Sequence, residues 1–321
     1  MIEITNFRNN HLIDPHLEIW EWPIAVYLFL GGLVAGLMIL NGVWRLMNKQ
    51  TDAPASTRMA PLWAPVLLSL GMFFLWIDLS YKTHVYRFYM TFQIASPMSW
   101  GAWILILVYP AQLLAIGIAT EIKSFKGPFR FLNLPIAFLQ AAAFGKEKLI
   151  AWLNITMGAG LGIYTGILLA AFAARPLWNT ALLGPLFLIS GLSTAAAWNL
   201  LSKPAHDEEK TLVRWDLALI AIELMLITVF LIGLATGPQG HQDAGELLLG
   251  GSFTATFWVF VVIVGLLLPF WLELREVTGR FAPKWAAPVF VLVGGLALRL
   301  IMVYAGQVSH IPDVEMLSGG F

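Results

Sequence analysis

The stretch WPIAVYLFLGGLVAGLMILNGVW, at residues 22–44, decides the fold. None of its side chains is charged, and about 20 mostly apolar residues are enough for a helix to cross the hydrocarbon core of a bilayer. The polar and acidic residues 1–21 do not resemble a cleavable signal peptide. We therefore predict that residues 22–44 form a retained transmembrane helix.

Seven further stretches share this length and apolar character. They are Pro61–Ser80, Ser99–Glu121, Leu149–Ala174, Leu177–Leu200, Leu212–Thr236, Ser252–Leu272 and Trp285–Gly306. The sequence thus predicts an all-α integral membrane protein in which eight transmembrane helices form a single domain over residues 1–321.

The overall composition supports this class and excludes others. Hydrophobic residues make up 59% of the 321 residues and charged residues only 12%, about half of what a soluble surface needs. The chain has no Cys, which excludes disulfides, iron–sulfur clusters and thiolate metal sites supplied by this chain alone. A net charge of zero without long basic runs argues against a nucleic-acid partner.

The distribution of Lys and Arg predicts the orientation of the bundle. Fourteen of the 19 follow the first, third, fifth and seventh spans, whereas four lie on the opposite side and Arg299 lies inside the last span. Because cytoplasmic loops are enriched in these residues, we expect both termini to lie outside. The segment 125–144, apolar on one face and flanked by basic residues, is predicted to lie in the inner interface. The outer loops 81–98 and 237–251 are long enough to carry function.

The six His residues lie outside all eight predicted spans. A membrane haem normally needs His ligands that project into the bundle core. We therefore expect no haem and no metal site in this chain, so redox chemistry here requires a bound small molecule.

Among the ionisable residues inside the spans we single out three, namely Asp78, Glu223 and Arg299. Burying such groups is costly, which makes each of them a candidate for function. Glu223 and Arg299 fit equally a structural ion pair or part of a proton path. We favour a functional role for Asp78, because it adjoins Lys82 and His84 at an aromatic-rich outer surface, and a buried carboxyl group suits a proton acceptor.

Two tyrosines are candidate ligand contacts. Tyr27 lies about one turn inside the outer end of the first span, which also suits a residue of the interfacial aromatic belt. Gly32 and Gly36 on this span have the spacing of a close-packing face. Tyr164 lies among several glycines of 158–166, which either leave room for a ligand beside its hydroxyl or only allow helices to pack.

Five short segments occur in order along nearly the whole chain. They are Trp20-Glu-Trp22 leading into Tyr27-Leu-Phe-Leu-Gly-Gly-Leu-Val-Ala-Gly36, Ser96-Pro-Met-Ser-Trp-Gly-Ala-Trp103, Gly162-Ile-Tyr-Thr-Gly166, Arg175-Pro-Leu-Trp-Asn179, and Leu298-Arg299 followed by Ala305-Gly-Gln307. Together they resemble the NrfD/polysulfide-reductase membrane-subunit family. This resemblance implies two four-helix bundles without haem and a quinone pocket near the outer face. In the family pattern an Asn, a His and a Tyr contact the quinone, and the matching positions here are Ile24, Tyr27 and Tyr164, of which only the last agrees.

The resemblance also implies partners. It places a ferredoxin-like iron–sulfur subunit on the outer face, connected to a catalytic subunit that is a molybdopterin enzyme or a multihaem cytochrome. The chain is then a multi-pass subunit of the bacterial cytoplasmic (inner) membrane that exchanges electrons with menaquinone or ubiquinone. It does not act on the terminal substrate itself.

Our hypothesis assigns Tyr27, Tyr164 and Lys82 to quinone binding and Asp78 and His84 to proton transfer. Glu223 and Arg299 are assigned to a transmembrane proton path. The alternative is a secondary transporter of a small anion, with Arg299 as the counter-charge. Transporters often have internal repeats and helices broken at mid-span by Gly or Pro, and we see no repeat and expect no Pro at mid-span. A purely structural anchor would not need the three buried charges.

Overall fold

The computed structural model describes residues 20–47, 53–79, 81–119 and 133–309. These residues form helices and connecting turns, with no strand among them. Twelve α-helices are numbered in chain order: α1 (Trp22–Leu46), α2 (Ala60–Asp78), α3 (Tyr86–Met90), α4 (Pro97–Ala119), α5 (Asn133–Ala143), α6 (Glu147–Ala170), α7 (Leu183–Leu201), α8 (His206–Thr236), α9 (Gln239–Leu249), α10 (Thr254–Thr256), α11 (Leu268–Val277) and α12 (Ala286–Val308). The π-helical turns Ala55–Met59 and Phe257–Leu267 extend α2 and α11 toward their N-termini.

Eight helices in the described part of the chain are long and apolar enough to cross a membrane, which confirms the predicted number. They are Trp22–Leu46, Ala55–Asp78, Pro97–Ala119, Glu147–Ala170, Leu183–Leu201, His206–Thr236, Thr254–Val277 and Ala286–Val308. We call the end that contains the start of α1 the outer end and the opposite end the inner end. These names follow the charge distribution, and the placement of the termini outside the membrane stays a prediction.

Several boundaries differ from those predicted. The fifth span begins at Leu183 rather than Leu177, because residues 175–182 form turns. The sixth span begins at His206 rather than Leu212, and the exposed side chain of His206 lies at the N-terminal end of α8. The glycine-rich loop 237–251 contains the helix α9, and Pro110 lies mid-way along α4, contrary to our expectation, although the helix continues through it.

The predicted interfacial segment lies only partly within the described residues. Its C-terminal part forms α5, which packs against α4 and exposes apolar side chains such as Leu134 and Phe138. Residues 125–132 lie outside the described part of the chain. The interfacial location of this segment stays a prediction.

Helix packing places α1 at the centre of the molecule. It contacts α2 and α6 of the first four spans and also α7 and α12 of the last four. A side chain at Gly36 would overlap the backbone of Gly191 on α7, and a side chain at Gly191 would overlap the backbone of Gly32. These glycines therefore form the close-packing face expected from their spacing. The arrangement as two four-helix bundles stays a prediction.

Candidate functional site

A cavity of about 140 Å³ opens among the outer ends of the first four spans. This volume corresponds to about five water molecules, which also suits an aromatic ring. Its lining is mostly apolar, with three tyrosines and one carboxyl group. The lining residues are Trp20, Ile24, Tyr27, Leu75, Asp78, Leu79, Val85, Tyr89, Met98, Gly101, Ala102, Leu105, Tyr164 and Leu168.

Three of the predicted site residues meet in this cavity. Tyr27 comes from α1, Asp78 ends α2, and Tyr164 lies near the outer end of α6. Tyr27 is buried within the protein, so it is not a lipid-facing residue of the aromatic belt. Ile24, which corresponds to an Asn in the family pattern, adds only apolar surface to the wall.

Sequence reasoning missed a third tyrosine, Tyr89 on the short helix α3. It lies close enough to Tyr27 and Tyr164 for the three phenol groups to interact electrostatically. Burial and the nearby Tyr109 raise the pKa of Tyr89 above its ordinary value of 10.0. Tyr89 therefore remains a hydrogen-bond donor throughout the physiological pH range. Its position in a loop without a recognisable motif gave no signal in the sequence.

The room beside Tyr164 comes from another helix. A Cβ atom at Gly101 on α4 would overlap the phenol ring of Tyr164. By contrast, Gly158 and Gly162, on the same helix as Tyr164, face α1 and α7. These two glycines serve helix packing, whereas Gly101 admits the ring of Tyr164 to the cavity wall.

The start of α4 also fixes the rim of the cavity. The Ser99 hydroxyl accepts a hydrogen bond from the backbone N–H of Gln93 at 3.0 Å and donates one to the carbonyl oxygen of Thr91 at 3.2 Å. The indole N–H of Trp100 donates to the carbonyl oxygen of Ile94 at 2.8 Å. The Ser96–Trp103 segment thus folds the end of the 81–98 loop onto α4.

Trp20 forms another part of the wall and is held by α12. The side-chain amide of Gln307 accepts a hydrogen bond from the Trp20 backbone N–H at 2.8 Å and donates to its carbonyl oxygen at 2.7 Å. The ring of Trp20 also packs 5.4 Å from that of Trp178, whose indole N–H donates to the Met302 carbonyl oxygen at 2.6 Å. Gly306 leaves the space that Trp178 occupies. Two separate sequence motifs therefore meet to position Trp20.

Lys82 and His84 lie outside this cavity. Lys82 extends over the ring of Trp76, with 5.8 Å between the ammonium nitrogen and the ring centroid. His84 is exposed and lines an adjoining open pocket of about 520 Å³ together with Tyr81 and Arg87. The two pockets share Leu79 and Met98. His84 thus lies between the cavity that contains Asp78 and the outer solvent.

Glu223 and Arg299 belong to a separate polar network in the last four spans. The Arg299 guanidinium donates to the Ser190 hydroxyl at 2.5 Å and to the Phe187 carbonyl oxygen at 2.9 Å, and it packs on the ring of Phe187. Glu223 interacts electrostatically with Arg299 and with the same Ser190 hydroxyl. Among the described residues, the only ion pair within 4.0 Å joins Lys284 to Glu209, so Glu223 and Arg299 do not form a direct ion pair, and both lie near Ser190.

The described groups offer no cluster of three or more His, Asp or Glu side chains for a metal ion. A mostly apolar cavity lined by phenol and carboxyl groups instead suits a planar organic molecule with hydrogen-bonding oxygens. The fold and this site therefore define a multi-spanning membrane protein with a small-molecule cavity at one end.

Comparison with known proteins gives the family. The family model described as "Polysulphide reductase, NrfD" matches residues 8–311, and the chain belongs to this family. The chain is 30% identical to a component of the polysulfide reductase of Wolinella succinogenes over 303 residues, which cover 90% of this chain and 94% of that protein. It is 30% identical to protein NrfD of Escherichia coli over 313 residues, which cover 92% of this chain and 97% of that protein. A component of the selenate reductase of Mesobacillus selenatarsenatis is 26% identical to this chain over 322 residues, which cover 90% of this chain and 74% of that protein.

Proposed function

We propose that the chain is the quinone-binding membrane subunit of a respiratory oxidoreductase complex. In this role it exchanges electrons between the membrane quinone pool, menaquinone or ubiquinone, and a partner iron–sulfur subunit. The observation that carries the proposal is the convergence of Tyr27, Tyr89, Tyr164 and Asp78 on one apolar cavity. The relatives named for polysulfide and selenate reductases support it, since their names describe subunits of reductases.

The residues of the cavity fit a quinone ring. Gly101 makes room for the Tyr164 hydroxyl at the cavity wall, and the apolar wall formed by Ile24, Ala102 and Leu105 excludes water from a bound ring. The three phenol groups are donors, which suits the carbonyl oxygens of a quinone. A bound quinone supplies the two-electron chemistry and its associated protons.

The protein contributes binding, orientation and a route for protons. Tyr27, Tyr89 and Tyr164 hold the ring by hydrogen bonds, and Asp78 accepts a proton at its carboxyl oxygen. His84, in the adjoining pocket, relays that proton to the outer solvent. Lys82 is proposed as a further contact at the rim. Glu223 and Arg299 form part of a proton path deeper in the bundle.

Electrons leave or enter through a partner. We propose that a ferredoxin-like iron–sulfur subunit docks over residues 81–98 and 237–251 at the outer end, and that it connects to a molybdopterin enzyme or a multihaem cytochrome. The complex then resides in the bacterial inner membrane. In this scheme the chain serves quinol oxidation or quinone reduction and does not act on the terminal substrate.

The anion-transporter alternative depends on Arg299 facing a substrate. Its guanidinium instead donates to Ser190 and to backbone carbonyl oxygens of Phe187 and Gly295, and it does not line the cavity that contains Tyr27 and Tyr164. These contacts favour a structural or proton-path role for Arg299 over anion binding.

Lipid extraction tests the proposal. The complex is purified in mild detergent, and its extracted lipids are quantified by mass spectrometry. We expect about one quinone per protein molecule in the wild type and a clear loss in a Gly101→Ala variant, whose Cβ displaces Tyr164. Absence of quinone from the wild type, together with substrate-dependent ion flux in proteoliposomes, would instead establish a transporter.

A further inference from the structure

Two carboxyl groups face each other inside the last four spans. Asp216 on α8 and Glu273 on α11 are 0% and 1% exposed, and their side chains are within hydrogen-bonding reach of each other. Asp216 Oδ1 accepts a hydrogen bond from the Ser193 hydroxyl at 2.5 Å. Asp216 Oδ2 and both carboxyl oxygens of Glu273 receive no hydrogen bond from any described residue.

Such a pair is unstable when both groups are ionised. Two buried carboxylates lose their hydration and repel each other. One proton held between them removes the repulsion and supplies the missing donor, because a protonated carboxyl group donates a strong O–H···O hydrogen bond to a carboxylate. A shared proton is therefore the smallest cation that satisfies the pair.

No positively charged side chain in the described part of the chain neutralises the pair. The nearby charged groups are Glu223 on α8 and Glu276 on α11, both acidic. Arg299 on α12 interacts with Glu223 and Ser190 rather than with the pair. On the side facing α7, only the Ser193 hydroxyl contributes a hydrogen bond.

Titratable groups connect the pair to the inner end. Glu276 lies one turn beyond Glu273 on α11, is partly exposed, and interacts with Glu209 and Lys284. The Lys284 ammonium group lies 2.6 Å from the Glu209 carboxylate, and its side chain is 66% exposed. The hydrogen bond from Lys284 to Glu209 raises the pKa of Lys284. The chain of groups thus begins in solvent and ends at the buried pair.

Further polar groups extend from the pair toward the middle of the bundle. Glu223 lies seven residues after Asp216 on α8, which is about 10.5 Å along a helix. It meets Ser190 and Arg299 there. Arg299 in turn lies against Gly32 of α1, the helix that carries Tyr27.

We propose that Asp216 and Glu273 hold one shared proton that exchanges with the inner end through Glu276 and passes onward to Glu223. The shared proton is a property of these residues alone. Only its coupling to electron transfer rests on the proposed quinone function.

Infrared spectroscopy of the purified complex tests the shared proton. A protonated carboxyl group gives a C=O stretching band that shifts when H₂O is replaced by D₂O. We expect the wild type to show such a band and the double variant Asp216→Asn/Glu273→Gln to lose one protonated carboxyl group from it. Glu246→Gln, which changes an exposed carboxyl group on α9, should leave the band unchanged. An unchanged band in the double variant would refute the proposal.

Three further measurements complete the test. The single variants Asp216→Asn and Glu273→Gln each replace the shared proton with an amide donor to the remaining carboxylate. They should therefore assemble and lose the same band if the double variant does not fold. Loss of the wild-type band on adding NaCl, but not choline chloride, would identify a sodium site instead. Glu276→Gln should slow the H₂O-to-D₂O shift of the band several-fold, and an unchanged rate would overturn the inner route.

The outcome is independent of the proposed quinone function. If the wild-type complex contains no quinone but shows the band, the quinone proposal fails and the shared proton stands. If quinone is present and the double variant keeps the full band, the shared-proton proposal fails and the quinone proposal stands.

Discussion

The hydroxyl end of Tyr164 on α6 lies directly against Gly101 on α4, in the space that any side chain at residue 101 would occupy. Tyr164 is buried, and both residues line the outer cavity. One missing methyl group therefore decides whether this phenol reaches the cavity wall.

Replacing Gly101 with Ala should displace the Tyr164 ring. Overpacking of this kind costs about 1–3 kcal/mol, so we expect a lower melting temperature in detergent and a loss of bound quinone. The matched control is Gly160→Ala on α6, where a Cβ atom meets nothing within 4 Å. Equal quinone content in both variants would contradict the assigned role of Gly101.

Removing one phenol hydroxyl from the cavity should weaken quinol turnover without unfolding the protein. A single hydrogen bond contributes about 1 kcal/mol, so Tyr27→Phe, Tyr89→Phe and Tyr164→Phe should each reduce kcat/KM by about fivefold or more. The measurement is quinol oxidation by membranes that contain the assembled complex. Tyr304→Phe, on an exposed part of α12, should behave as the wild type. A tyrosine whose replacement has no effect on turnover is not part of the proposed site.

Asp78→Asn should slow turnover more than it changes binding. General base catalysis contributes about 10²–10⁴ in rate, so we expect kcat to fall at least a hundredfold while the quinone content stays close to that of the wild type. Asp207→Asn, which changes an exposed carboxyl group at the inner end of α8, is the control. A fall in quinone content with unchanged kcat would make Asp78 a binding residue instead.

Arg299→Leu should destabilise the last four spans. It removes the donors to Ser190 and Phe187 and leaves the buried Glu223 without its nearby positive charge, which costs about 3 kcal/mol. The check is thermal unfolding of the purified protein, with Arg280→Gln at the exposed inner end as the control. Near-equal melting temperatures would show that Arg299 contributes little to packing.

The number of spanning helices was predictable from the sequence because the apolar stretches are long and the solvent is lipid. Their ends were less predictable. Residues 177–182 were predicted as helix, yet they turn so that Trp178 packs on α12 and donates to the Met302 carbonyl oxygen. A loop containing several glycines forms α9 for a similar reason, since Leu248 and Ala244 pack into a buried face.

Part of the candidate site could also be predicted. Tyr27, Asp78 and Tyr164 were identifiable as polar groups in apolar helices, where burial is costly, and the structure places all three in one cavity. Tyr89 and Gly101 could not be assigned, because Tyr89 lies in a segment that was predicted as a loop and Gly101 acts only through the absence of a side chain. Lys82 and His84 are close to Asp78 in the sequence but lie outside its cavity: Lys82 extends over Trp76, and His84 lines the adjoining open pocket.

The sequence by itself determined the lipid environment of the helices, the number of spanning helices and the lack of cysteine ligands. These properties depend on the composition and length of local segments. The tertiary structure alone decided which buried polar groups meet. Asp216 and Glu273 are 57 positions apart and come together only because α8 and α11 pack side by side. Pairing between distant helices depends on how their surfaces fit, and no local pattern of residues encodes that fit.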